Sequence, residues 1–176
     1  MGVCNHRAMS AILDYFTAPS DQHAAAALDD LDDLEPDTSD EAPGASPNPL
    51  TRPRIRLTAS GTPVLQVNGV EPVVALGRLE AALTGRPYDE VTAGTRSGSL
   101  VAMSDDGDSL VVTVTDELRD VLAELDADGV AAAARVWAID EDGEPSEESV
   151  PLLAAFAELS AGAVDRGENV YCRVLV

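Results

Sequence analysis

Ser99-Leu100-Val101-Ala102-Met103-Ser104-Asp105-Asp106-Gly107-Asp108-Ser109-Leu110-Val111-Val112-Thr113-Val114 is the stretch on which the fold turns. Two apolar, β-branched runs flank a short acidic segment containing a glycine, and that arrangement predicts a β-hairpin. The chain then changes period. Thr115 is a good N-cap, and Asp116 and Glu117 fall in the first turn of the helix it starts, where negative charge suits the helix dipole. Leu118, Val121, Leu122 and Leu125 follow at i, i+3, i+4 and i+7, the apolar stripe of a helix over 116–125. Strands that run directly into an amphipathic helix predict an α+β fold.

Toward the C-terminus, Gly129 reads as a helix breaker and Val130–Ile139 as a further helix carrying the single tryptophan, Trp137. Residues 140–148 read as an acidic loop. Ser149 caps a long helix to about Arg166, with Pro151 in its first turn and Gly167 after its end. Asn169–Val176 alternates as a strand. Toward the N-terminus, Val73–Thr84 carries a helical stripe ending at Gly85, and residues 86–97 read as loop. Arg54–Thr58 and Pro63–Val67 are strand candidates. Met9–Thr17 is a first ordered element, strand or short helix, and Ser20 caps a helix to about Leu34. The expectation is one α+β domain, a small, mainly antiparallel sheet packed against about five helices. Residues 1–8 read as an appendage, since translation from Met9 is an alternative start. Residues 9–34 belong to the domain, 35–53 form a disordered, acidic, proline-rich linker, and 54–176 form the main body.

The charge is large and uneven. There are 32 acidic residues against 11 basic ones, all arginine, for a net charge of −21. Residues 1–50 carry net −9, residues 51–100 net +2 and residues 101–176 net −14, so the middle third can pair with both flanks. Such acidity repels a phosphate backbone and an anionic lipid surface, which argues against nucleic-acid and membrane partners. No apolar run reaches about 18 residues, and no basic start precedes an apolar segment; both point to a cytoplasmic protein. Cys4 and Cys172 read as reduced thiols. Aromatic residues make up only 3% of the chain, so the core must be built from Ala, Val and Leu.

Motifs for chemistry are sparse. Three acidic turns end in glycine: Asp105-Asp106-Gly107, Asp126-Ala127-Asp128-Gly129 and Asp140-Glu141-Asp142-Gly143. With each glycine at position six of a calcium loop, position twelve is Thr113, Arg135 or Ser149, none of them the required glutamate. No metal or cofactor is expected. His6 and His23 are the only histidines, and a Cys172–His23 pair is the single nucleophile–base combination left open. No nucleophile elbow or phosphate loop occurs. Gly94-Thr95-Arg96-Ser97-Gly98 is a glycine-bounded loop able to face an anion. Arg86, Tyr88 and Asp89, in the loop after a helix, are the candidate residues of a polar site. Arg52, Arg54 and Arg56 alternate along a strand and would form an anion-facing patch.

Asp14-Tyr15-Phe16 near the start, a helix ending in Leu83-Thr84-Gly85, the helix start Thr115-Asp116-Glu117-Leu118 after a strand, and Gly167-Glu168-Asn169 before a terminal strand together span nearly the whole chain. In this order of elements the sequence resembles the YfbM-like family of small bacterial proteins, and more closely a set of uncharacterised actinobacterial proteins. It departs from the family in lacking aromatic and histidine residues in the Val73–Thr84 helix. The resemblance implies an α+β fold and a bacterial cytoplasmic protein, and it implies no activity.

Two classes of function remain. The first is a non-enzymatic, acidic, immunity-like binding or regulatory protein acting on a basic protein partner. The alternative is an enzyme with an Asp/Arg-based site that lacks a local motif. A halophile-type protein whose charge serves only solubility is a third reading; in that case removing salt should lower its melting temperature.

Overall fold

The computed structural model describes residues 12–32, 53, 55–137 and 149–175. Six strands form one sheet: β1 (Ile12–Ala18), β2 (Ile55–Leu57), β3 (Pro63–Asn68), β4 (Leu100–Met103), β5 (Ser109–Thr113) and β6 (Asn169–Leu175). Their order is β2-β3-β1-β6-β5-β4, with every neighbour antiparallel. Seven helices accompany them among the described residues: α1 (Asp21–Ala26), α2 (Leu28–Asp32), α3 (Val74–Thr84), α4 (Tyr88–Thr92), α5 (Asp116–Ala123), α6 (Ala127–Val136) and α7 (Ser149–Arg166). The protein is thus an α+β single domain, and four of its helices are longer than six residues.

The hairpin forms as the sequence predicts. Its acidic turn is closed from within, because Asp106 Oδ1 accepts from Ser104 Oγ at 2.6 Å and from the Asp108 N–H at 3.2 Å. Thr115 caps α5, and Gly85 ends α3 with a left-handed φ of 71°. Other boundaries move. Met9–Thr17 resolves into the strand β1. The predicted helix from Ser20 splits into α1 and α2 at Ala27. Residues 86–97 are not all loop, since Pro87 starts α4, whose first turn holds Asp89 and Glu90. The helix expected from Val130 begins at Ala127, because Asp126 accepts the Gly129 N–H at 2.8 Å and draws that glycine into the first turn. Trp137 follows α6, is buried, and donates from Nε1 to the Ala75 carbonyl at 3.0 Å. The proposed appendage, nearly all of the 35–53 linker and the 140–148 loop lie outside the described residues.

Each face of the sheet has its own core. On one, Leu13 and Tyr15 of β1, Leu65 and Val67 of β3, and Val170 and Cys172 of β6 pack against α3, α5, α6 and α7. Tyr15 meets Phe156 edge-to-face at 4.8 Å and donates to the Val70 carbonyl at 2.5 Å, so its hydroxyl is satisfied inside the core. On the other face, Phe16, Val64, Val111 and Tyr171 pack under Ala24, Leu28 and Leu31. Most of these side chains are aliphatic, and each fully buried Leu stabilises the fold by about 1.5–3 kcal/mol.

That second face also holds a charge pair. Asp14 of β1 and Arg173 of β6 are register partners in the two central strands, and both are buried. Arg173 donates from Nε at 2.9 Å and from Nη2 at 2.6 Å to Asp14 Oδ2, while Gln66 Nε2 donates to Oδ1 at 2.8 Å. Both carboxylate oxygens are therefore filled, as a buried charge requires. Removing one partner is costly because the other stays buried. Asp14→Asn should lower stability by about 3–5 kcal/mol in urea unfolding. Asp14→Leu with Arg173→Met should recover most of that loss. A single mutant within about 1 kcal/mol of wild type would show that the pair does not matter.

Candidate functional site

A shallow cleft of about 230 Å³ opens where the α4–β4 loop meets the start of α5. It is lined by Arg86, Val91, Gly94, Thr95, Arg96, Thr115, Asp116 and Glu117. Arg86 arrives from the turn after α3. Gly94, Thr95 and Arg96 come from the glycine-bounded loop, and the last three residues from the cap and first turn of α5.

The loop is pinned from below. Thr113 Oγ1 donates to the Arg96 carbonyl at 2.7 Å and accepts the Ser99 N–H at 3.0 Å, and the Gly98 N–H donates to the Thr113 carbonyl at 3.1 Å. Gly98 has φ of +65°, and a Cβ there would lie 2.2 Å from Val73 Cγ2. Backbone conformation and space both demand glycine.

The cleft's electrostatics follow from its pairs. Arg86 Nη1 pairs with Glu117 Oε2 and lies 3.8 Å from Glu80 Oε1. Glu80 comes from α3 and is only 1% exposed. Its Oε2 accepts from the Thr115 hydroxyl, while its Oε1 has no hydrogen-bond partner. Burial pushes the Glu80 carboxyl above the usual carboxylate range; the Thr115 bond opposes that shift, as does the more distant Arg86, and the Glu117 charge adds to it. Arg96 bridges the two acidic flanks of the sequence, with Nη1 3.1 Å from Asp21 Oδ1 and Nε 3.2 Å from Asp116 Oδ1. Its guanidinium also lies 5.6 Å from the centre of the Tyr171 ring. Tyr171 donates to Asp21 at 2.8 Å; with Arg96 beside it, this bond holds the Asp21 carboxyl below its usual range. Two guanidinium groups thus face four carboxylates.

Of the residues named from sequence, Arg86 and the loop around Arg96 come together here. Tyr88 and Asp89 do not line the cleft. They sit on α4, where the Tyr88 ring packs beside Gly77 of α3; a Cβ on Gly77 would come within 3.2 Å of it. Of the three residues of the expected polar site, Arg86 alone lines this cleft, joined there by residues far along the chain. Arg52 and Arg54 lie outside the described residues. Arg56 is on β2 in register with Val64. The open Cys172–His23 pairing does not form: Cys172 is buried on one face of the sheet, where desolvation raises its thiol pKa, and His23 is exposed on α1 over the other. Among the described residues, no three His, Cys, Asp or Glu side chains come together as a metal site would need. Also among the described residues, no helix is long and apolar enough to cross a membrane.

No protein-family model matches the chain, and no curated protein or solved structure shows significant similarity to it.

Two consequences can be measured. Gly98→Ala should cost about 2 kcal/mol or more in urea unfolding, through strain and the clash with Val73; a loss below about 0.5 kcal/mol would mean the loop is free to shift. Glu80 has a raised folded-state pKa, so folding favours its protonated form. Its stabilising contribution is full below pH 4.5, declines as pH rises from there, and is gone above the raised folded value. Glu80→Gln should flatten that decline in the pH profile of stability, whereas a profile parallel to wild type would place the charge in water.

Proposed function

We propose that this protein is a cytoplasmic, non-enzymatic binding or regulatory protein that associates with a basic protein partner through its acidic surface. The observation that carries this reading is how the charge is disposed. Arg86, Arg96, Arg119, Arg166 and Arg173 are each engaged by the protein's own carboxylates. Asp14 and Glu80 are the only fully buried acids among the described residues. Among the described residues, the excess negative charge therefore lies on the surface. Asp105, Asp106 and Asp108 crowd the β4–β5 turn, and Glu124, Asp126 and Asp128 the α5–α6 corner. A field of this kind steers a cationic partner and speeds encounter.

A second reading has one observation in its favour. Glu80 is a buried carboxyl with a raised pKa, held by two residues that line a cleft, and such groups serve as general acids. It is the weaker reading, because Glu80 does not itself line the cleft.

The test is association measured in low and high salt. The immobilised protein should retain a basic protein from a cell extract at low ionic strength and release it at high ionic strength. With the purified pair, the association rate should fall about tenfold or more between 20 and 300 mM NaCl. A partner whose association rate is unchanged by salt, or no retained protein at all, would count against the charge-steered reading.

A further inference from the structure

We propose that the cleft between the α4–β4 loop and the start of α5 is a seat for one arginine side chain of the basic partner, and that Arg86, on the cleft wall, holds the carboxylates of that seat in the free protein. This inference rests on the binding reading above and names the site within it.

The balance of fixed charge comes first. Arg86, Arg96 and Arg119 face Glu80, Asp116, Glu117, Asp21 and Asp120, so the surroundings stay net negative even with Glu80 protonated. An anion would find Arg96 Nε and Nη2 buried without hydrogen bonds, yet it would enter a net negative field in which carboxylates already lie within ion-pair distance of both the Arg86 and Arg96 guanidinium groups. A cation would be drawn in. Size is the second point: about 230 Å³ suits one long side chain rather than a peptide. The third is an unmet acceptor. Glu80 is 1% exposed, and its Oε1 has no hydrogen-bond partner, with Arg86 Nη1 left 3.8 Å away. Asp116 Oδ1 is likewise buried without a hydrogen bond, although Arg96 and Arg119 lie within ion-pair distance. A buried carboxylate oxygen without a donor is costly, so a better-placed guanidinium gains by supplying one.

Arg86 is suited to giving way. It follows the helix end at Gly85, its side chain is 37% exposed, and its closest partner, Glu117, is 64% exposed. An exposed pair of this kind contributes little to stability and separates at small cost. Arg96 is different: it is held by Asp21, Asp116 and the Tyr171 ring, and stays as the fixed wall. An incoming guanidinium would take Glu117 and approach Glu80, with Arg86 swinging into water.

The test uses the full chain and N-acetyl-L-arginine amide as the probe, with the neutral isostere N-acetyl-L-citrulline amide and inorganic phosphate as separate arms. Binding is followed through the amide resonances of Thr95, Thr115 and Glu117 and the Nε–H resonance of Arg86. The arginine probe should shift these signals, citrulline should not, and Glu117→Gln should weaken binding about tenfold. Arg86→Gln should strengthen it about fivefold, since the internal competitor is gone. If Arg86→Gln unfolds the chain, the Arg86 Nε–H shift in wild type carries the same information. Phosphate binding that is lost in Arg86→Gln would overturn the proposal, as would arginine binding that ignores Glu117→Gln. A basic protein captured in salt-sensitive fashion, yet indifferent to both variants, removes the seat and leaves the broader reading intact. Arginine binding in the cleft without any basic protein partner does the reverse.

Discussion

Asp14 and Arg173 meet between the two central strands of the sheet, and the placement of the remaining strands follows from that meeting. Side chains alternate faces along a strand, so slipping β1 by one residue would drive Asp14 into the aliphatic face and lift Tyr15 out of it. The pair, with Gln66 completing the carboxylate, permits one register among those available. It fixes β1 against β6 on one side and β3 on the other. Phe16 and Tyr171 then stack at 5.8 Å on the same face, and Tyr15 reaches Phe156 on the opposite one. Buried ion pairs add little net stability compared with apolar side chains of the same shape; here the gain is in specificity of alignment.

The rest of the charge obeys a different rule. Two arginines of the middle third reach toward the acidic flanks: Arg96 ties Asp21 of the first third to Asp116 of the last, and Arg86 reaches Glu117. Once those cations are engaged, the remaining carboxylates have water as their main partner and repel one another. The fold accepts that repulsion because so few of the described acids are indoors. Where they crowd turns and helix starts they also do local work, as Asp106 does in the hairpin turn and Asp126 at the cap of α6. The two described acidic turns that end in glycine thus have carboxylates bound to their own backbone.

Much of this was legible in the chain. The hairpin, the Thr115 cap, the stop at Gly85 and the long last helix each follow from local chemistry, and local chemistry is what a sequence displays. The pairing of strands distant in sequence is not displayed there, and Asp14 and Arg173 are 159 positions apart. Half of the cleft was visible, as Arg86 and the glycine-bounded loop. Glu80 was missed although a signal existed: Leu76, Leu79, Glu80 and Leu83 occupy i, i+3, i+4 and i+7, so an acid stands on the apolar stripe of α3. Tyr88 and Asp89, close to Arg86 in sequence, do not line the cleft with it. Pro87 turns the chain into a short helix and points them elsewhere.

The sheet order has a consequence for how the molecule is made. A ribosome delivers β1 before the other five strands, whereas β6 belongs between β1 and β5 and emerges only after about 150 further residues. Until then, β2-β3-β1 and β4-β5 are two unfinished ribbons, each with an inner margin of unpaired amides open to any passing chain. The nascent polypeptide must wait for its last strand to join them, and long waits of that kind invite aggregation. Its many mutually repelling carboxylates then protect it by keeping one unfinished copy away from the next.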